Sequence, residues 1–210
     1  MTAAPALGAI LLAGGRATRV DGASKPLFEV GGETLLRATC AAVLEAGARQ
    51  IVVAGDVLDD ALEVRWVRED PPFGGPAAGA VAAVESWSDE TAPTWVFLLA
   101  CDLPEVQAAV ARLSEALPLL PDESDGACLA DETSRPQWLI GIYRTRSLRR
   151  AASALPDRGQ HATVRSLIDD LAITVLRAPA ALTEDVDTWE DLAKARERVG
   201  HPTNPREETQ

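Results

Sequence analysis

The chain is poor in cysteine and histidine, the residues on which disulfide frameworks, zinc sites and catalytic triads depend. Its 210 residues include three cysteines, at positions 40, 101 and 128, and two histidines. An odd number of cysteines without a CxxC pair predicts neither a disulfide framework nor a zinc knuckle, and favours a reducing, cytoplasmic location. Cys101 ends an apolar strand candidate, where a small buried thiol is expected rather than a nucleophile. With only His161 and His201, the sequence does not favour a histidine-rich metal site or a Ser-His-Asp triad.

Long apolar runs and an excess of positive charge are absent as well. No apolar stretch reaches the roughly 20 residues that span a bilayer, and the first residues lack the basic segment of a signal peptide. The formal net charge is −12 at pH 7. Such an acidic chain disfavours broad binding to nucleic acids or to anionic membranes, because both are polyanions. We therefore expect neither as a partner.

Short apolar strands alternate with helical patterns along the chain. Non-alternating apolar strands separated by helices are typical of a mainly parallel sheet covered on both faces. We predict an α/β fold, a three-layer Rossmann-like sandwich, as one domain over residues 1–199, followed by a polar tail, 200–210, expected to be disordered. Strands are predicted at 8–13, 50–54, 64–67, 95–100, 124–130, 138–143 and 173–176, and helices at 33–46, 75–87, 105–117, 146–154, 163–171 and 188–199.

A glycine-rich, basic segment follows the first predicted strand. Residues 12–19 read LAGGRATR, here called the glycine loop, and Lys25 follows. Ligands of open α/β sheets bind at the carboxyl ends of the strands, where glycines let backbone N–H groups approach an anion. Arg16, Arg19 and Lys25 add positive charge, so the pattern favours a polyphosphate site, although it matches neither Walker A nor GxGxxG. A flexible turn with solvated basic residues is the alternative.

Five motifs in order resemble those of GT-A-like nucleotidyltransferases. The run LLAGGRATRVDGASKPLFEVGGETLL resembles LAGG-x-x-x-R-M-x-x-x-x-K, and Glu69-Asp70 follow the third strand. GPAAG at 75–79 resembles GP-x-x-G, and CDLP at 101–104 resembles CD-x-P. EDVDTWEDL at 184–192 resembles the closing (D/N)-(I/V)-(D/N)-T-x-E-(D/E)-L. Within that superfamily the chain is most similar to the MobA-like molybdenum cofactor guanylyltransferases, and the resemblance implies a GT-A-like sheet.

The resemblance implies a Mg²⁺-dependent transfer of GMP from GTP to the phosphate of molybdopterin, with release of pyrophosphate. It implies as partners GTP or another NTP, a phosphorylated pterin-type acceptor and molybdoenzyme-maturation proteins. A related cytidylyltransferase and a guanylyltransferase with another phosphorylated acceptor are alternatives. A sugar-1-phosphate nucleotidyltransferase is a further one, which the length of 210 residues disfavours. A non-catalytic nucleotide-binding or cofactor-chaperone module is the last, and Arg19, Lys25 and Asp102 argue against it.

The resemblance also implies the nucleotide-binding residues. Arg19 and Lys25 would neutralise the triphosphate and, with Asp102, form the catalytic set. Asp70 would accept hydrogen bonds from the N1–H and N2–H₂ edge of guanine. Surface ion pairing of Arg19 and a plain loop position of Asp70 are the structural alternatives. Main-chain contacts to the nucleotide are expected from the start of the glycine loop, at Leu12, Ala13, Gly14 and Gly15.

Two carboxylates are expected to hold the magnesium ion. Asp102 follows the most apolar predicted strand, at the rim where substrates bind, and carboxylate oxygens are ligands that Mg²⁺ prefers. Asp187 is the second expected ligand, and Asp185 competes for that role. Capping of the following helix is the alternative for Asp102 and Asp187. His161 and Arg165 lie in a segment that is near the acceptor pocket in relatives, and each is assigned either to the acceptor or to the surface.

Overall fold

Residues 5–14 and 23–200 are described by a computed structural model of the protein. The strands are β1 (Leu7–Leu12), β2 (Glu29–Val30), β3 (Glu33–Thr34), β4 (Ala48–Ala54), β5 (Arg65–Val67), β6 (Trp95–Ala100), β7 (Gly126–Ala130), β8 (Pro136–Arg144) and β9 (Ile173–Arg177). The helices are α1 (Leu35–Glu45), α2 (Pro76–Glu85), α3 (Val106–Ala116), α4 (Thr145–Ala154), α5 (Val164–Ile168) and α6 (Trp189–Gly200).

Seven of these strands form one sheet, in the order β5-β4-β1-β6-β8-β7-β9. β8 is antiparallel to both of its neighbours, and every other pair in this sheet is parallel. Helices α1 and α3 contribute to an apolar core on one face, while α2, α4 and α5 contribute to a second core on the other face. The predicted α/β sandwich with a mainly parallel sheet is therefore confirmed.

The central strand β6 explains why its sequence is apolar without alternation. Val96 and Leu98 belong to the core on the α2 face, whereas Phe97 and Leu99 belong to the core on the α1 face. All four side chains are fully buried. Successive residues of a strand point to opposite faces, so a strand covered on both sides needs apolar residues at every position.

The six helices differ from their predicted bounds by at most three residues at either end, and two of the differences have a visible cause. Helix α1 begins at Leu35 because the two residues before it form β3, and Thr34 caps the helix by accepting a 3.3 Å hydrogen bond from Arg37 N. Helix α5 ends at Ile168, three residues before the predicted end. The acidic pair 169–170 follows at its carboxyl end, where negative charge opposes the helix dipole.

At the carboxyl end of the chain, α6 continues to Gly200, which the sequence placed in the polar tail. The rest of that predicted tail, 201–210, lies outside the described residues. Within the described ranges, no helix has both the length and the apolar character required to cross a bilayer.

Asp125 joins three strands at one end of the sheet and offers a test of the packing there. Its carboxylate accepts hydrogen bonds from Ser147 Oγ and, at 3.1 Å, from Ala172 N. Although burial raises it, these hydrogen bonds hold the pKa of Asp125 below its usual value. We expect Asp125→Ala to lower the free energy of unfolding at pH 7 by about 1–2 kcal/mol, because charge-assisted hydrogen bonds are lost.

The loss of stability caused by Asp125→Ala should depend on pH. A carboxyl whose folded pKa is lowered stabilises the protein above its unfolded pKa, about 3.9, and this stabilisation is lost as the pH falls through the folded value. The difference in melting temperature between wild type and Asp125→Ala should therefore shrink between pH 5 and pH 3. Asp60→Ala, an exposed loop change, is the control. A difference that stays constant over this range would contradict the assignment.

Candidate active site

The carboxyl ends of β1, β4 and β6 meet at one edge of the sheet. In the strand register Leu12 pairs with Ala54 on one side and with Ala100 on the other. Beyond the strands, Ala13 N donates a 3.0 Å hydrogen bond to Ala54 O, and Cys101 N donates a 3.2 Å hydrogen bond to Leu12 O. The start of the glycine loop is thereby fixed between its two neighbouring strands.

A cleft of about 450 Å³ opens at this edge. Leu12, Ala13 and Gly14, all predicted to contact the nucleotide, line it. Gly55 lines it too, and a Cβ atom there would lie 3.1 Å from Gly14 N, so the close approach of these two segments requires a glycine. The cleft also contains Gly79, in the first turns of α2. Open backbone and a helix N-terminus are the features that bind phosphates.

Charged and aromatic side chains also form part of the cleft wall. Arg68, Glu69 and Phe73 line it. Arg68 pairs with Asp56, and its Cζ lies 4.9 Å from the centroid of the Phe73 ring. Asp70, expected to read the base, is exposed and is not among the described residues that line the cleft. Glu69, its neighbour, supplies a carboxylate at this wall.

Three carboxylates converge just beyond β6. Asp102 follows the strand, and Asp185 and Asp187 come from the segment before α6. Val186 N donates a 2.9 Å hydrogen bond to Asp102 O, and the Val186 side chain is fully buried, so the segment is held against the strand end. Oxygen atoms of the three carboxylates lie within 4.8 Å of one another. Asp102, Asp185 and Asp187 are here called the acidic cluster.

Lys25 is brought to the acidic cluster by a small apolar core. Phe28, three residues after it, packs in this core with Val186. The Lys25 Nζ atom lies 3.8 Å from Asp102 Oδ2 and hydrogen-bonds to Asp187. One cation thus faces three carboxylates among the described residues of the cluster.

Burial and repulsion between carboxylates act on two members of the acidic cluster, Asp102 and Asp185. Burial, with Asp185 as the nearest like charge, raises the pKa of Asp102 to about 6, against the opposing effect of Lys25. Burial and the nearby Asp187 likewise raise the pKa of Asp185. A divalent ion would offset this repulsion, and clustered carboxylate oxygens suit Mg²⁺ or Mn²⁺. The donor set therefore fits a metal ion, and both Asp185 and Asp187 are in reach as the second ligand.

Helix capping does not account for these carboxylates. Helix α3 has Glu105 at its N-cap, without a side-chain cap hydrogen bond. Helix α6 is capped by Thr188, whose Oγ1 accepts a 3.2 Å hydrogen bond from Asp191 N. Asp191 Oδ2 in turn accepts a 2.9 Å hydrogen bond from Thr188 N, which completes a capping box. Asp102 and Asp187 therefore do not cap these helices, and their role as metal ligands stays a prediction.

Comparison with known families places the chain in one of them. Residues 9–173 match the family described as MobA-like NTP transferase domain. The chain belongs to this family. Its members are nucleotidyltransferases, so the predicted enzyme class is confirmed at that level.

Two curated relatives of this MobA-like NTP transferase carry different substrate names. A 3-deoxy-manno-octulosonate cytidylyltransferase from Methylococcus capsulatus is 36% identical over 131 residues, which cover 59% of this chain and 49% of that protein. A probable molybdenum cofactor guanylyltransferase from Synechococcus elongatus is 31% identical over 146 residues, which cover 65% of this chain and 71% of that protein. The match thus spans about half the length of the cytidylyltransferase.

Solved structures share the fold of the MobA-like NTP transferase. The manganese complex of Rv0371c from Mycobacterium tuberculosis superimposes with a TM-score of 0.64 at 20% sequence identity. The superposition covers 92% of this chain and 99% of that one. The similarity confirms the layered architecture.

Several residues singled out in the sequence are not among the described residues of the cleft or of the acidic cluster. Gly15, Arg16 and Arg19 lie outside the described residues. His161 is exposed, and its backbone N donates a 2.7 Å hydrogen bond to Gly74 O, beside the cleft. Arg165 is exposed and pairs with Asp169 at 3.5 Å, one helical turn away. An acceptor contact of His161 or of Arg165 stays a prediction.

Several residues that line the cleft of this MobA-like NTP transferase were not predicted as site residues, among them Gly55, Arg68, Glu69 and Phe73. Arg68 and Glu69 directly follow the third predicted strand, but the resemblance assigns a role only to Asp70, the next residue. Phe73 carried no periodic signal, because it lies in a loop. Gly55 directly follows the second predicted strand, which is β4. A glycine at the end of a strand is a sequence signal that could have indicated a close approach of another backbone segment.

The three cysteines are expected to resist thiol reagents in the folded protein. All three are buried. Burial, helped by the nearby Asp59, raises the pKa of Cys40 to about 11, and burial raises that of Cys128 to about 12 and that of Cys101 well above its usual value. At pH 8 the reactive thiolate is then scarce. Ellman's reagent should titrate three thiols in urea and none within minutes under native conditions. Rapid native reaction of one thiol would contradict this account.

Proposed function

We propose that the protein transfers GMP from GTP to the phosphate of a molybdopterin-type acceptor, with release of pyrophosphate, and that residues 1–199 act as one nucleotidyltransferase domain. One observation carries the proposal. The acidic cluster and Lys25 lie at the same sheet edge as a cleft lined by the first residues of the glycine loop, so a triphosphate held along the loop would meet a metal ion and a cation. The similarity to a probable molybdenum cofactor guanylyltransferase supports GTP and a pterin acceptor.

In this proposal Asp102 holds Mg²⁺ together with Asp185 or Asp187. Support comes from the crowding of the three carboxylates and from the manganese complex of a protein with the same fold. When bound, the ion would supply positive charge shared between carboxylate and phosphate oxygens.

The chain's own groups would bind and orient the substrates. Backbone of Leu12, Ala13 and Gly14 would hold the nucleotide, and Arg19 would bind the triphosphate through its planar fork. An acceptor phosphate oxygen attacks the α-phosphorus of GTP, and the bond to the bridging oxygen of pyrophosphate breaks. Lys25 would stabilise the negative charge that develops on the departing pyrophosphate. The attacking oxygen is already anionic, so the protein needs no general base, and positioning supplies much of the acceleration.

A cytidylyltransferase is the second candidate. The similarity to a cytidylyltransferase at 36% identity supports it. The cleft wall is compatible with both bases, because Arg68 offers donors and Glu69 offers acceptors. For guanine, we propose Glu69 in place of Asp70 as the acceptor for the N1–H and N2–H₂ groups, since Glu69 lines the cleft.

Pyrophosphate release tests both candidates. The protein is incubated with Mg²⁺, each of the four NTPs in turn, and either molybdopterin, molybdenum cofactor or 3-deoxy-manno-octulosonate as acceptor. We expect release with GTP and a pterin acceptor. Release with CTP and the sugar acid would replace the first candidate by the second. If the protein bound nucleotide but released no pyrophosphate with every pair of NTP and acceptor, this result would support the non-catalytic alternative and overturn the proposal.

A further inference from the structure

Phe73 is an aromatic residue held in a backbone conformation that suits glycine. Its φ is +67°, in the left-handed region, and its side chain is 57% exposed at the wall of the cleft. A bulky side chain rarely adopts this conformation. Such conformations persist where surrounding contacts impose them, and they cluster at ligand-binding sites. The position therefore calls for a reason beyond folding.

Neighbouring contacts fix the backbone around Phe73. Gln160 Nε2 donates a 3.0 Å hydrogen bond to Pro71 O, and His161 N donates a 2.7 Å hydrogen bond to Gly74 O. At Gly74 a Cβ atom would lie 2.1 Å from Gln160 Oε1, so the Gln160 side chain packs directly on the backbone there. The loop backbone is therefore held on both sides of Phe73.

The Arg68 side chain contacts the Phe73 ring directly. Its guanidinium lies over the Phe73 ring, 4.9 Å from the centroid, and pairs with Asp56. All three residues line the cleft that Leu12 and the rest of the described glycine loop also line. A flat apolar ring at the wall of a site for a nucleotide offers a surface on which a planar heterocycle stacks.

We propose that Phe73 forms an aromatic wall on which the base of the bound nucleotide stacks. This inference rests on the proposed function, because it takes the cleft to be a nucleotide site. The base is favoured over the pterin ring of the acceptor, since Phe73 shares the cleft with the glycine loop rather than standing apart from it. The ring thereby contributes to nucleotide affinity without taking part in the chemical step.

The test measures the dissociation constant of Mg·GTP by calorimetry without acceptor. Base–aromatic stacking predicts that Phe73→Leu weakens binding about ten-fold or more, whereas Phe73→Tyr, which keeps the ring, stays within about two-fold of wild type. Phe73→Gly should weaken binding as much as Phe73→Leu does. It should nevertheless raise the melting temperature relative to Phe73→Leu, because glycine adopts a positive φ without strain.

Ser134→Gly is the matched control. Ser134 has a φ of +66°, in the turn between β7 and β8, and is not among the described residues that line the cleft. This variant relaxes similar backbone strain and should leave the Mg·GTP affinity within about two-fold of wild type, as expected for a residue with no stacking contact.

The outcomes separate this inference from the proposed function. Wild-type binding of Mg·GTP together with unchanged affinity in Phe73→Leu would overturn the aromatic wall alone. A raised KM for the acceptor with unchanged nucleotide affinity would also overturn it, since the ring would then serve the acceptor. No binding of Mg·GTP or Mg·CTP to the wild type would overturn both the wall and the proposed function.

Discussion

Replacement of Asp102 by asparagine is expected to abolish measurable turnover while making the metal-free protein more stable to heat. The loss of turnover should be at least about 10²-fold, the usual effect of removing one group that stabilises transition-state charge. The gain in stability follows because Asp102 is repelled by Asp185 and Asp187 in a buried position. About 1 kcal/mol of relief raises the melting temperature of a domain this size by about 2–4 °C.

Thermal melts in EDTA and in Mg²⁺, run beside pyrophosphate release, check this prediction. Mg²⁺ should stabilise the wild type more than Asp102→Asn, because the variant has lost a ligand. Asp185→Asn and Asp187→Asn, measured in the same way, show which one serves as the second ligand: the ligand variant loses the Mg²⁺-dependent stabilisation. Near-normal pyrophosphate release by Asp102→Asn would remove the metal assignment, and a lowered melting temperature in EDTA would indicate a structural role instead.

Replacement of Lys25 by methionine should give the same loss of turnover with the opposite effect on stability. Lys25 Nζ lies 3.8 Å from Asp102 and hydrogen-bonds to Asp187, so its removal takes one positive charge away from the acidic cluster. We expect turnover to fall about 10²-fold, because the charge on the departing pyrophosphate is less well stabilised. The melting temperature in EDTA should fall, since the repulsion between the carboxylates is then less compensated.

Lys194→Met is the control for this variant. Lys194 pairs with Glu190 one turn away on α6, with more than half of its side chain exposed. Exposed pairs of this kind contribute little to stability, so neither stability nor turnover should change much. A Lys25→Met protein with wild-type kcat would contradict the assigned role. Equal melting temperatures for Lys25→Met and wild type in EDTA would contradict the electrostatic account of the cluster.

Elements with a strong apolar pattern were predictable from the sequence. Strand β6 has the bounds that its run of apolar residues predicts, Trp95–Ala100, because burial on both faces requires that run. Strands β2 and β3 were missed, since two residues each are too short to show a period. The early end of α5 was missed because its apolar spacing continues past the point where acidic residues stop the helix.

The site residues that stand at fixed positions of a motif were predictable from the sequence. Asp102 and Lys25, 77 positions apart, lie together as the motifs imply. The choice between Asp185 and Asp187 was not predictable, because their separation in the sequence does not tell which carboxylate approaches Asp102. The proposed role of Phe73 could not be predicted from the sequence for a different reason. A left-handed conformation at Phe73 arises from contacts with distant residues, not from local preference.

Anomalous scattering from Mn²⁺ in crystals grown with Mn²⁺ and GTP tests the central assignment most directly. The account predicts a manganese peak within bonding distance of Asp102 and of Asp185 or Asp187, with the triphosphate running from that peak along the glycine loop. A triphosphate bound away from the glycine loop, or manganese bound anywhere but at these carboxylates, would contradict it.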